Sequence, residues 1–231
     1  MNHNFRVKIN AAMTIDGKIA TVSGDSKISS RRDLKRVHEL RSSMDAVMVG
    51  ISTVLVDNPM LSVRLLRKAG ANPVRIIIDG KARIPLTSRI LRTAHKNMTI
   101  VVVTTRAPIN RIKKIQSRGA MVIVAGRHAV DLRKVFSIIQ NIGIQRVLVE
   151  GGGELNWSVL KQGLVAELIV TIAPVIAGGR NATTLVEGQG YTRISKAIKL
   201  KLTKVSNQGG GEVVLCYRLA SGGRRPGLHS L

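Results

Sequence analysis

Runs of branched apolar residues alternate along the chain with stretches in which apolar positions return every three or four residues. The first kind reads as strands: "FRVKINAAM" (5–13), "DAVMVG" (45–50), "VRIIID" (74–79), "MTIVVVTT" (98–105), "AMVIVA" (120–125) and "QRVLVE" (145–150). Near-continuous Val and Ile suit strands covered on both faces. The second kind reads as helices. Ser30-x-x-Asp33 resembles a capping box, and Leu34, Val37, Leu40 and Met44 follow at helical spacing, predicting a helix near 30–43. Its other face carries Arg31, Arg32, Lys35, Arg36 and Glu39, and His38 beside Glu39 reads as solvated. Further helical patterns lie near 108–118 and 131–141, the latter started by Asp131 with Leu132, Val135, Phe136 and Ile139 on one face. After the 45–50 strand, "ISTVLVDNP" is punctuated as a loop by Asp-Asn-Pro.

Strand alternating with helix predicts βαβ units and a mostly parallel sheet. The C-terminal part changes character: "AELIVTIAPVI" (166–176), "AIKLKLTKV" (197–205) and "EVVLCYRL" (212–219) are strands with hardly any helix between them. The last two are joined by "SNQGGG", a loop of hairpin composition. The pattern therefore predicts an α/β fold with a mixed sheet that ends in an antiparallel hairpin. No linker or repeat divides it, so residues 1–220 read as one domain and the Gly-rich basic ending, 221–231, as a flexible tail.

"VLVEGGGELNW" (147–157) is the most unusual stretch: a strand stops at Glu150, passes Gly151, Gly152 and Gly153, and enters a helix. Three consecutive glycines are costly in conformational entropy. They serve either a turn needing positive φ or the approach of an anion to amides at a helix N-terminus. The stretch is not the G-x-G-x-x-G dinucleotide fingerprint, and no G-x-x-x-x-G-K-[ST] occurs.

Composition narrows the partners. The chain has 231 residues, 44% of them hydrophobic, which is enough for a full core. A net charge of +24 points to anions, either nucleic acid or small phosphorylated molecules. Aromatics at 2% are too few for a base-stacking platform, and no helix-turn-helix, zinc-finger or RNP pattern is present, so nucleic acid is the weaker alternative. The single cysteine, Cys216, allows no internal disulfide or thiolate cluster and reads as a packing residue in a strand. With no signal-peptide core and no spanning run, the expected location is cytoplasmic.

Ligands of open α/β sheets sit beyond the carboxyl ends of the strands. That makes Asp16 and Gly17, Thr53 and Asp57, Gly80 and Lys81, Thr104 to Arg106, and Glu150 to Glu154 the natural suspects. G-x-S-x-G, H-x-E and P-C-x-x-C are absent, and the five histidines show no ligand spacing. Hydrolase and zinc-deaminase chemistry are thereby excluded, no metal is expected, and a reaction performed by a bound cofactor remains.

"NAAMTIDGKIAT" (10–21), "LRSSMDAVMVGISTVLVDNPMLSVR" (40–64), "PVRIIIDGKARIP" (73–85) and "VLVEGGGELNWSVLKQGLVAELIVTIAPVIAGG" (147–179) resemble the stand-alone reductases of riboflavin synthesis, from about residue 5 to 219 and in register. The resemblance implies a dihydrofolate-reductase-like fold and a homodimer. It also implies reduction by NADPH of the ribosylamino chain of a pyrimidine 5′-phosphate, hydride passing to C1′ of the ring-opened imine. Carried over position by position, Ala12, Thr53 and Asp57 would bind the cofactor, with Gly80, Lys81 and Arg83 along its adenosine side and Gly151, Gly152, Gly153 and Glu154 around its pyrophosphate. Ser26, Arg41, Leu61, Arg64 and Glu150 would bind substrate, Arg41 and Arg64 gripping the phosphate. Relatives fused to a deaminase often have Lys where this chain has Asn10. Asn10 therefore favours 2,5-diamino-6-ribosylamino-4(3H)-pyrimidinone 5′-phosphate as substrate, the deaminated uracil compound being the alternative. No side chain stands out as general acid.

Overall fold

In the computed structural model, which describes residues 5–66 and 71–220, nine strands form one sheet in the order β5-β4-β3-β2-β6-β1-β7-β9-β8. Seven neighbours, from β5 (Met121–Val124), β4 (Thr99–Val103), β3 (Val74–Ile78) and β2 (Ala46–Gly50) through β6 (Arg146–Val149) and β1 (Arg6–Thr14) to β7 (Glu167–Ala173), run parallel. β9 (Glu212–Leu219) pairs antiparallel with both β7 and β8 (Leu200–Gly209). The Val and Ile runs are buried because helices cover both faces. On one side Val7, Met48, Ile76 and Val102 pack with Phe136 and Ile139 of α5 (Leu132–Asn141) and Val159 of α6 (Gly153–Lys161). On the other, Val47, Val49, Ile77 and Val101 pack with Val54 of α2 (Ile51–Asp57), Leu91 of α3 (Arg89–Arg92) and Ile115 of α4 (Ile109–Gln116).

Four expectations change. α2 stands where only a loop was expected, because seven residues make barely two turns and give a periodicity reading little to act on. β8 extends through Gly209, so most of "SNQGGG" is ladder and only Gly210 and Gly211 link it to β9. Its start is displaced in the same direction, leaving a connection of residues 174–199 in which the sole helical feature is a short 3₁₀ turn, Ile194–Lys196.

The fourth change concerns α1 (Arg31–Ser42). Its fully buried positions are Asp33 and His38, whereas Leu34 is 43% exposed. Asp33 accepts from Arg36 (2.8 Å) and from the Thr171 hydroxyl (2.8 Å), and Arg36 donates to Asn10 (2.9 Å), so polar groups seat this helix on β1 and β7. The cap is only half a capping box: the Ser30 hydroxyl accepts the Asp33 amide (3.2 Å), but the Ser30 amide goes to Glu212 in β9 (2.8 Å). His38 is therefore not solvated. Residues 221–231 lie outside the described part. Among the described residues no helix is long and apolar enough to cross a membrane.

Candidate active site

The carboxyl ends of β2, β3, β4 and β6 open onto a groove of about 850 Å³ lined by Gly50, Ile78, Gly80, Thr104, Val130 and Leu155 and rimmed by Lys81, Arg83, Arg106 and His128. The 80–83 turn is shaped from below. Asp79 is fully buried, its carboxylate accepts the Ile84 amide (2.8 Å), and Arg83 lies 3.6 Å from its second oxygen. Gly80 is needed for closeness, since a Cβ there would meet the Thr104 side chain at 3.3 Å, and its carbonyl accepts the Thr104 hydroxyl (2.7 Å).

The three glycines form a turn tied to the groove's lining through Gly50. The Gly50 amide donates to the Gly151 carbonyl (2.8 Å), and the Gly152 amide to the Thr53 hydroxyl of α2 (3.1 Å). Gly151 has φ +85°, a conformation other residues rarely adopt, and a Cβ on Gly153 would stand 2.6 Å from the Thr184 carbonyl. Gly152 is the N-cap of α6 and offers no side-chain cap, and Glu154 and Leu155 of the first turn line the groove. Uncapped first-turn amides and the helix dipole together favour an anion. The turn reading of the glycines is the one their conformation and packing show.

Beyond Glu150 lies a second, cation-rich half. Arg41, from the last turn of α1, donates to both Glu150 oxygens (2.7 and 2.6 Å) and to the Ser62 carbonyl (3.2 Å). Burial works against the Arg41 charge, but the Glu150 carboxylate more than offsets it and holds the guanidinium pKa above its ordinary value. Leu61, Ser62 and Val63 are buried, Leu61 with φ +53°, and Arg64 emerges beside them at the surface. Burial and then repulsion from Arg89 and Arg41 push the Arg64 pKa down. Arg64, crowded by two other arginines, is suited to receive a compact dianion. Ser26 donates to Asp57 at the end of α2 (2.8 Å), closing this half from the other side.

Matched to these features, a family model described as the RibD C-terminal domain covers residues 6–214. The chain belongs to this family. The 2,5-diamino-6-ribosylamino-4(3H)-pyrimidinone 5′-phosphate reductase of Methanothermobacter thermautotrophicus is 48% identical over 86% of this chain and 91% of its own. Among solved structures, the riboflavin biosynthesis reductase Rib7 of Saccharomyces cerevisiae superposes with a TM-score of 0.73 at 27% identity, covering 95% of this chain and 92% of its own. Dihydrofolate reductase of Enterococcus faecalis, with a TM-score of 0.52 and 13% identity over 93% of this chain and 96% of its own, shares the fold. The expected dihydrofolate-reductase-like architecture of a RibD-type reductase is thus present.

Within this RibD domain the expected residues fall into groups. Gly80, Lys81, Arg83 and Glu154 line the groove. Thr53, Gly151, Gly152 and Gly153 are tied together next to that lining, through Gly50, but do not belong to it, and Asp57 faces Ser26 instead. Arg41, Glu150, Leu61 and Arg64 converge on the second half. Ala12 lies half-buried in β1 opposite Thr171 and touches neither lining. Arg89, Arg106 and His128 join the two halves without having been expected there by role. Arg106 and His128 sit 3.1 Å apart on segments 22 positions distant, a proximity no local pattern carries.

Proposed function

We propose that this RibD-type reductase uses NADPH to reduce the ribosylamino group of 2,5-diamino-6-ribosylamino-4(3H)-pyrimidinone 5′-phosphate to a ribitylamino group. The observation that carries the reading is the meeting, at Glu150–Gly151, of a groove with a bare helix N-terminus and a pocket with three arginines. The first suits a dinucleotide and the second a sugar phosphate. The groove fits the cofactor: Gly50 and Gly80 line it without side chains, and Lys81, Arg83 and Arg106 supply positive charge along its open rim, where the 2′-phosphate that distinguishes NADPH needs it. When bound, NADPH supplies the hydride.

The protein's own share is positioning. Arg64 and Arg41 hold the phosphate end of the substrate. Glu150, paired with Arg41, presents carboxylate oxygens to the amino groups of the base. The Thr53–Gly152 bond holds the glycine turn beside which the cofactor's pyrophosphate would rest. No protein acid is assigned to the opening sugar oxygen. Asn10 supports the diamino substrate over the uracil one: it is 5% exposed and its amide oxygen is taken by Arg36, so this position presents no cation to the ribose.

The enzyme acts as a homodimer in the cytoplasm, as a single domain. The support for self-association is β8, an edge strand whose Leu200, Leu202 and Val205 are 39%, 47% and 57% exposed. The test of function follows loss of reduced-nicotinamide absorbance with the diamino compound and, in parallel, with its deaminated counterpart. Oxidation of NADPH with the diamino compound alone is the expected result. Oxidation with the uracil compound alone keeps the fold and cofactor and overturns the substrate.

A further inference from the structure

We infer that His38 is a positioning residue for the substrate's phosphate. Its ring fixes the backbone of Arg64 and so sets where that guanidinium stands. The inference rests on the reading of Arg64 as a phosphate contact.

His38 is 4% exposed, in the turn of α1 before Arg41. Its Nδ1 accepts the Arg64 amide at 2.9 Å. Arg41, on the same face of the helix, donates to the Ser62 carbonyl at 3.2 Å. α1 thus grips one short segment at two points, taking a donor at 64 and satisfying an acceptor at 62. Val63, between them, is tied to Asn72 (2.8 Å). The segment is strained enough to need holding, since Leu61 stands at positive φ. Arg64, the first exposed residue after three buried ones, leaves the protein in a direction set by those bonds.

An imidazole accepts at Nδ1 only when neutral and protonated at Nε2. The charged groups facing it are Arg41 on its own helix, Arg64 on the segment it holds and Glu150 at the end of β6. Burial first, and then both arginines, lower its pKa, with Glu150 opposing. His38 is therefore an acceptor at neutral pH. When it is protonated in acid, an N–H faces the Arg64 N–H, and the bond is lost.

Asparagine places Oδ1 on Cγ, as histidine places Nδ1, and does not titrate. The test compares H38A, H38N and R64A, with H38A also made in the R64A background, by steady-state kinetics on the full chain. We expect H38A to raise the substrate KM about five- to tenfold, the size of one lost hydrogen bond. It should leave kcat and the KM for NADPH unchanged, H38N should restore the substrate KM, and H38A should add less than about twofold to R64A. On acidification the wild-type substrate KM should rise more than that of H38N; the substrate's own phosphate titrates equally in both and cancels. If R64A raises KM and H38A does not, the inference fails while the phosphate contact stands. If R64A leaves KM unchanged, the phosphate reading itself is wrong and the inference falls with it. A loss of kcat and of both KM values in H38A, with lowered Tm and no rescue by H38N, would mean packing alone. Should H38A not fold, parallel pH profiles of H38N and wild type would overturn the inference.

Discussion

Arg64 shows how much one side chain can carry when its neighbours repel it. On the proposed role of Arg64, R64A removes a charge-assisted phosphate contact worth roughly 1.5–3 kcal/mol, so substrate KM should rise about ten- to a hundredfold with kcat largely kept. Initial rates at varied substrate check this. Asp16 illustrates a different residue-scale effect. Its carboxylate accepts the Thr14 hydroxyl (2.6 Å) and the Ala177 and Gly178 amides (3.1 and 2.8 Å). The Thr14 bond, then that from Ala177, hold its pKa down to about 2, against an ordinary 3.8. A lowered folded value stabilises above the unfolded pKa, so this contribution is complete above about pH 4 and is lost as pH falls through 2. The acid limb of a denaturation profile should be shallower in D16N than in wild type. Asp16 was visible in the sequence as a polar residue at a strand's carboxyl end, but its hold on residues 177 and 178 was not, because the partners are 161 and 162 positions away. His38 was misjudged for a related reason: charged sequence neighbours suggested water, while its environment is set by a segment 26 residues on.

At the scale of elements, legibility followed amphipathicity. α5 was readable because Asp131 caps it and Leu132, Val135, Phe136 and Ile139 all face the core. α1 was located correctly and its Leu40, with Met44 beyond it, packs on the core as expected, but Leu34 is exposed and the buried positions are an aspartate and a histidine satisfied by distant partners. These contrasts can be measured. F136A, at a position with no exposure, should cost about 3–5 kcal/mol in chemical denaturation. L34A should cost within about 0.5 kcal/mol despite its place in the apolar spacing, because Leu34 is 43% exposed. The strands were the easiest elements to read, as the Val and Ile runs of a sheet covered on both faces leave no alternative use for them. Strand ends were harder, and β8 gained four residues at the expense of a loop because its final positions, Ser206–Gly209, carry turn-forming residues inside a ladder.

For the molecule as a whole, the charge of +24 favours the two anions that the proposed function brings to the site. Long-range attraction of this sort is screened by salt. The Kd for NADPH, measured by fluorescence, should weaken about tenfold between low and physiological ionic strength, with kcat nearly constant. The site itself was legible chiefly through its long motifs; the arginine cluster and the Arg106–His128 contact arise only when the sheet gathers separate segments. The long connection of residues 174–199 belongs to this scale too. Its first part is sewn to the turn after β1 and to Gly153 by the Ile15, Ile19, Leu185 and Glu187 amides. Past Glu187 it is exposed at Arg193, before the chain returns through β8 and β9 to lie against β7 along six registered pairs. A protease that cuts once at Arg193 would therefore divide the chain without dividing the protein. The smaller fragment would stay annealed to the larger as the last two strands of a continuous sheet, and the nicked enzyme would elute as one species until denaturant released its pieces.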